Sequence, residues 1–255
     1  MTRNASSSGI TRRRALRSIG AGIGAGIAAV PLAALPGCGD DGGSGGGGID
    51  APPSDSWASG GTAVMTGHYP DPFTTGGGAC ALLCETTLGP CYAQTVERKD
   101  ISEQELGLPV RLAFRVVGDD GCTPIAGAAV DIWHTNRSGL YSGSDANGRV
   151  DFDTCFPGWY RGRTIHIHVQ IRIGADEYVT TQLFFDDALT REIFAGHVEY
   201  EEFGQPDTTN RDDGVISSSQ VGDYTLATQR MSDGAMLAYK TLVIRSSLAT
   251  PACQT

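Results

Sequence analysis

From residue 163 to residue 173 the chain reads RTIHIHVQIRI. Ile165, Ile167, Val169, Ile171 and Ile173 take one parity, and His166, His168, Gln170 and Arg172 take the other. Successive side chains of an extended strand point to opposite faces. The pattern therefore predicts a long half-buried strand with two imidazoles side by side on its polar face. Alternation or short apolar runs recur at 110–117, 128–133, 149–153, 178–185, 222–230 and 236–245. Gly, Asn and Asp separate most of these segments, and Asn147-Gly148 favours a hairpin turn. One short helix is expected near 187–200, capped by Asp186 or Asp187. Several short strands with little helix predict an all-β fold, a β-sandwich with one short helix and long loops. No internal repeat is visible.

The pattern before residue 80 is different. "TRRRALRS" is a basic segment, and residues 19–37, IGAGIGAGIAAVPLAALPG, form a weakly apolar run. Residues 1–37 are expected to be an export signal resembling the twin-arginine type. The Gly content, with Pro31 and Pro36, disfavours a membrane-spanning helix. The run ends in LPGC at 35–38, which resembles a bacterial lipobox and would make Cys38 a lipidated first residue, anchored but not spanning. Plain cleavage and release is the alternative. Residues 38–79 are rich in Gly, Ser and Asp and predict a tether. About 40 flexible residues span roughly 35 Å. Near its end Met65, Tyr69 and Phe73 can lay a strap on the domain, which is expected over 80–255. The expected address is periplasmic or cell-surface.

Charge and cysteine content narrow the partners. Of 19 Lys and Arg, five arginines lie in residues 1–37, which hold no acid; the remaining 14 face 29 Asp and Glu, a net charge of −15. Such a surface repels phosphate, so no nucleic-acid partner is expected. Besides Cys38 the chain has Cys80, Cys84, Cys91, Cys122, Cys155 and Cys253. In an exported protein six cysteines allow up to three disulfides in fifteen possible pairings. A thiolate metal site is disfavoured by the absence of paired C-x-x-C spacing.

Taken alone, His-x-His on a strand can bind Zn²⁺, Cu²⁺, iron or nothing. The acids of DANGRVDFD, residues 145–153, alternate like a calcium loop but lack its sixth-position Gly and terminal Glu, and predict a polar hairpin instead. His134, beside Trp133, reads as a satisfied core residue or a support behind the site, and His68 and His197 as incidental.

Three stretches carry more than the histidines do. TPIAGAAVDIWHTNRSGLYSG, PGWYRGRTIHIHV and TTQLFF resemble, in order and approximate spacing, the intradiol ring-cleavage dioxygenases. ETTLGPCY at 85–92 is similar to the pocket-forming segment that opens that domain. The resemblance spans roughly residues 80–245. It implies a β-sandwich with a non-haem Fe(III) between its sheets, held by Tyr141, Tyr160, His166 and His168. It assigns Tyr160 as the tyrosinate that departs when substrate binds and Tyr141 as the one retained. It makes Arg163 a stabiliser of charge on the ring and Gln182, Pro90 and Tyr92 pocket residues. Anionic oxygen with imidazole suits a hard trivalent ion, and such an ion lowers the pKa of a coordinated phenol.

The implied substrates are a small aromatic diol of the catechol class and O₂, opened to a muconate-type diacid. Arg163 has the parity of Ile165, opposite to the histidines, so it can reach the site only if the chain turns at Gly162. Cys91 stands where an aromatic residue often follows Gly-Pro and Cys84 where proline is common, so a local disulfide could reshape that wall. No room remains for the helical dimerisation segment that precedes the core in catechol dioxygenases. The rival expectation is a non-catalytic surface lipoprotein binding a ligand or divalent metal at the same His pair.

Overall fold

A computed structural model describes residues 56–74, 80–89, 92, 96–135, 140–143 and 148–255, with the side chains of all but 140–143. The expected export signal, the lipobox, the first part of the tether, Pro90 and Cys91 lie outside the described residues. Nine strands are described: β1 Val96–Glu97, β2 Pro109–Gly118, β3 Ala129–Trp133, β4 Leu140–Gly143, β5 Arg149–Cys155, β6 His166–Ile173, β7 Asp176–Phe184, β8 Ala227–Arg230 and β9 Met236–Ile244. They form a five-stranded sheet of order β1-β4-β3-β6-β7 and a four-stranded sheet of order β5-β2-β9-β8. Val110, Leu112, Phe114 and Val116 of β2 share one core with Ile132 of β3, Ile167, Val169 and Ile171 of β6 and Leu183 of β7. Burying each such side chain contributes about 1.5–3 kcal/mol. The expected all-β sandwich is the observed architecture.

The helix α1 runs Asp187–Gly196, and Asp186 caps it by accepting from the amides of Ala188 and Leu189 at 2.8 and 3.0 Å. Residues 222–230 are not one strand. A four-residue helix, α2, covers Val221–Tyr224 before β8 begins. Tyr224 is turned inward there, where its hydroxyl accepts from the Cys84 amide at 2.9 Å. Among the described residues no helix is long and apolar enough to cross a membrane.

Three expectations are corrected by long-range pairing. β4 and β5 do not form a hairpin, because β4 pairs with β3 in one sheet while β5 pairs with β2 in the other. The acids of β5 serve arginines: Asp151 accepts from Arg149 and Asp153 from Arg111. Second, Cys84 bonds to Cys253, 4.6 Å away between Cα atoms, and not to its near neighbour. The C-terminal chain runs alongside it, the Glu85 amide donating to the Cys253 carbonyl at 2.8 Å. Cys80 bonds to Cys122. Cys155 is buried and unbonded, so the described residues form two disulfides of the three allowed.

Third, residues 57–73 lie against the domain although their composition reads as tether. The Ala58 amide donates to the Gly234 carbonyl, and Asp233 accepts from the Thr66 amide and the Tyr69 hydroxyl. The Tyr69 ring covers the Arg111 guanidinium at 4.9 Å, and Phe73 meets Tyr239 edge to face. Met65, Tyr69 and Phe73 were expected to strap the domain, and Tyr69 and Phe73 make ring contacts there. Specific polar and aromatic contacts override the flexibility that Gly and Ser confer.

Candidate functional site

β6 is buried on both faces, not half-buried. Ile165, Ile167, Val169 and Ile171 enter the core, while His166, His168 and Gln170 on the other parity are each no more than 7% exposed. The imidazoles therefore face the loop-covered side of the five-stranded sheet and not the interior between the sheets. This corrects the expected placement. Cross-strand register sets their neighbours: His168 stands opposite Trp133 of β3 and opposite Gln182 of β7. Trp133 stacks on His168 with ring centroids 4.9 Å apart and planes 6° from parallel. The segment before residue 90 forms the cover. Thr86 donates its amide to the Thr180 carbonyl, and Gln182 Nε2 donates to the Thr87 carbonyl at 3.3 Å. Gly89 closes onto His168 so tightly that an added Cβ would lie 2.9 Å from Cε1.

The two histidines are held differently. His166 Nδ1 sits 2.7 Å from the Thr164 carbonyl, so it carries the proton and donates, leaving the Nε2 lone pair free. Tyr160 Oη approaches that Nε2 to 3.3 Å. In His168, Nδ1 is buried and makes no hydrogen bond among the described residues. Burial, followed by the charge of His166, pushes the pKa of His168 down to about 3. Burial also lowers His166, partly offset by the Thr164 carbonyl. Both rings are neutral near pH 7 and available as nitrogen donors. His134 places Nε2 2.9 Å from Thr154 Oγ1 while its buried Nδ1 makes no hydrogen bond among the described residues, and burial and then His166 lower its pKa to about 4.

Arg163 reaches the site because the chain turns first. Gly162 adopts φ +81°, and the Arg163 amide donates to the Tyr160 carbonyl at 3.3 Å. The guanidinium donates from Nη2 to Gln182 Oε1 and from Nη1 to Tyr160 Oη at 3.4 Å. Tyr92 meets Trp133 edge to face at 5.0 Å, and its hydroxyl donates to Gln170 Oε1 at 3.4 Å. Tyr141 stands in β4 opposite Asp131; its side chain, like all of Pro90, lies outside the described residues. The structure thus brings together Tyr160, Arg163, His166, His168 and Gln182, with Tyr92 at the rim. Sequence reasoning missed Asp213, Gly89 and the stacking Trp133. Gly89 and Trp133 each lay within a stretch quoted for the resemblance, while Asp213, which bonds Arg163, had no signal.

The sandwich matches solved structures. An intradiol ring-cleavage dioxygenase from Tetranychus urticae superposes with a TM-score of 0.59 at 24% identity, over 65% of this chain and 95% of that one. The fold is that of the intradiol ring-cleavage dioxygenases. The dioxygenase domain of a dioxygenase carbohydrate-binding protein fusion from Streptomyces sp. SirexAA-E agrees, with a TM-score of 0.51 at 20% identity over 66% of this chain and 100% of that one. By sequence the chain is similar to catechol 1,2-dioxygenase 1 of Acinetobacter lwoffii, 27% identical over an alignment of 168 residues that covers 49% of this chain and 53% of that protein. The chain thus spans about half the length of the curated relative it matches. No family model matches. In this dioxygenase fold the five clustered side chains come from β6, β7 and the loop before β6. Among the described residues no group of three or more His, Cys, Asp or Glu could hold a metal ion.

Proposed function

We propose that this chain is a non-haem Fe(III) intradiol dioxygenase that opens catechol-type rings between the two hydroxyl-bearing carbons. Both atoms of O₂ enter the product, a muconate-type diacid. One observation carries the reading: Tyr160 Oη, His166 Nε2 and the Arg163 Nη1 edge converge in a chain with this fold. The donors fit a hard, highly charged ion, being neutral imidazole and phenol oxygen, with no thiolate. Tyr141, Tyr160, His166 and His168 would hold it. When bound, the ferric ion supplies the charge that favours the catechol dianion and the activation that opens the ring to O₂.

The chain's own groups do the rest. The Thr164 carbonyl keeps His166 in the tautomer that presents Nε2. Tyr160, at the mouth and a tyrosinate when the ion is bound, would accept one hydroxyl proton as the diol enters, the other passing to solvent. Arg163 aims the Nη1 edge at charge developing on the ring, a preorganised donor. Gln182 is tied to Arg163 and to the Thr87 carbonyl, and in this reading it would line the substrate pocket together with Pro90 and Tyr92.

We also propose export, with a lipid on Cys38 as the membrane link, which would bring the domain to catechols outside the cytoplasm. Activity on intact cells and an acylated N-terminal peptide in mass spectra are expected; activity confined to the cytoplasm excludes this address. The chemistry is tested by the visible spectrum of the purified protein. Tyrosinate-to-ferric charge transfer gives a red-brown colour that shifts to longer wavelength on anaerobic addition of catechol. A protein still colourless after iron reconstitution overturns the reading.

A further inference from the structure

Asp213 enters the site from the loop between α1 and α2, and its carboxylate has no solvent exposure. Oδ2 accepts from Arg163 Nε and from the Thr164 amide, both at 2.8 Å, and Oδ1 accepts from Arg163 Nη2 at 3.2 Å. The loop that carries it is itself pinned. Asn210 donates to the Phe185 carbonyl at 2.7 Å and to Asp187 Oδ1 at 3.0 Å, and accepts from Thr164 Oγ1 at 2.6 Å.

A guanidinium has five N–H donors in a fixed plane. Asp213 takes Nε and one hydrogen of Nη2, and Gln182 takes the other hydrogen of Nη2. Only the Nη1 edge remains, and it faces Tyr160 Oη. Without the carboxylate the same guanidinium could present any edge. The second contact acts on a different group. The Thr164 amide that Asp213 holds belongs to the residue whose carbonyl fixes His166 Nδ1.

We infer that Asp213 is a positioning residue that sets the direction of the Arg163 guanidinium and, through Thr164, the presentation of His166. Its consequence for catalysis rests on the proposed function; its effect on Arg163 does not. Asp213 touches neither substrate nor reacting atoms and acts through its two neighbours. Supporting partners of this kind are worth about 10–100-fold when removed.

The test uses Asp213→Asn, Asp213→Glu and, as a control, Asp153→Asn. The control disrupts another mostly buried Arg–Asp pair, with Arg111, in the four-stranded sheet. Two readouts are taken: hydrogen exchange of the Arg163 Nε–H by ¹⁵N NMR in the metal-free protein, and kcat and KM for catechol after iron loading. In the wild type the Nε–H is expected to exchange slowly. Asp213→Asn is expected to expose it and to lower kcat by about 10–100-fold with KM held within about threefold. Asp213→Glu keeps the charge in the fold and shifts the carboxylate by one methylene, and a smaller drop in kcat is expected. Asp153→Asn is expected to lower the melting temperature and leave both readouts unchanged. A slowly exchanging Nε–H in both Asp213 variants overturns the inference. So does a kcat that falls only with the folded fraction, as in the control. A wild type that neither binds iron nor cleaves catechol sinks the proposed function instead, and the NMR readout still decides the role of Asp213.

Discussion

Tyr160 Oη lies 3.3 Å from His166 Nε2, yet Tyr160 is 43% exposed while His166 is 3% exposed. One donor is locked in the sheet and the other sits on a turn at the mouth. The pairing suits a site in which the phenol moves when a ligand arrives and the imidazole stays.

Removing the phenol oxygen alone separates the enzyme from a binding module. Tyr160→Phe is expected to lower kcat by at least about 100-fold, the scale of losing a positioned acid–base group. The charge-transfer band should move as one tyrosinate is lost, while the melting temperature changes little because the side chain is half exposed. Unchanged turnover would point to a base elsewhere.

Gly89 is required by space and backbone together. It adopts φ +73°, and a Cβ there would come within 2.9 Å of His168 Cε1. Gly89→Ala should cost about 1–3 kcal/mol of stability from the left-handed backbone, and it should displace the imidazole. Iron content after reconstitution, measured with the melting temperature, is expected to fall. Full iron loading at wild-type stability would contradict this account of the cover.

The Cys84–Cys253 bond ties the end of the chain to the residue before the cover, across a separation of 169 residues. Replacing both cysteines by serine is expected to lower stability by about 2–4 kcal/mol, read by denaturant unfolding. Amide exchange at 85–89 should rise with it, since Glu85 donates its amide to the Cys253 carbonyl. Unaltered exchange there would show that the cover stands without its hook.

The strap should be released by acid. Burial raises the pKa of Asp233, but hydrogen bonds from the Thr66 amide and hydroxyl, the Tyr69 hydroxyl and the Ala235 amide together hold it below the usual carboxylate range. A depressed folded pKa means that the stabilisation is complete above the unfolded value near 3.9 and is lost as pH falls through the folded one. Limited proteolysis with an acid-active protease is expected to cut within 57–73 only below about pH 4. Asp233→Asn should remove that pH dependence.

Most of the longer strands and α1 were legible because each depends on neighbours along the chain, whereas β1, β4 and α2 were not. The alternation of 163–173 gave β6, and Asp186 caps α1 through its own next residues, Ala188 and Leu189. The His pair was legible for the same reason, as a period-two pattern. The adjacent turn at Gly162 was visible as the only way to bring Arg163 round, and it does so.

The sequence by itself determined the all-β class, the two histidines on one face of a strand, and the stretches whose side chains meet there. Tertiary structure alone decided which face that is, that β4 and β5 belong to different sheets, and that Cys84 joins Cys253. It alone placed Asp213 behind Arg163, 50 residues away along the chain. Local patterns encode what a residue does to its neighbours at spacings of two to four. A buried ion pair, a disulfide across 169 residues and a strap held by Asp233 each depend on where distant segments come to rest, which no local period records.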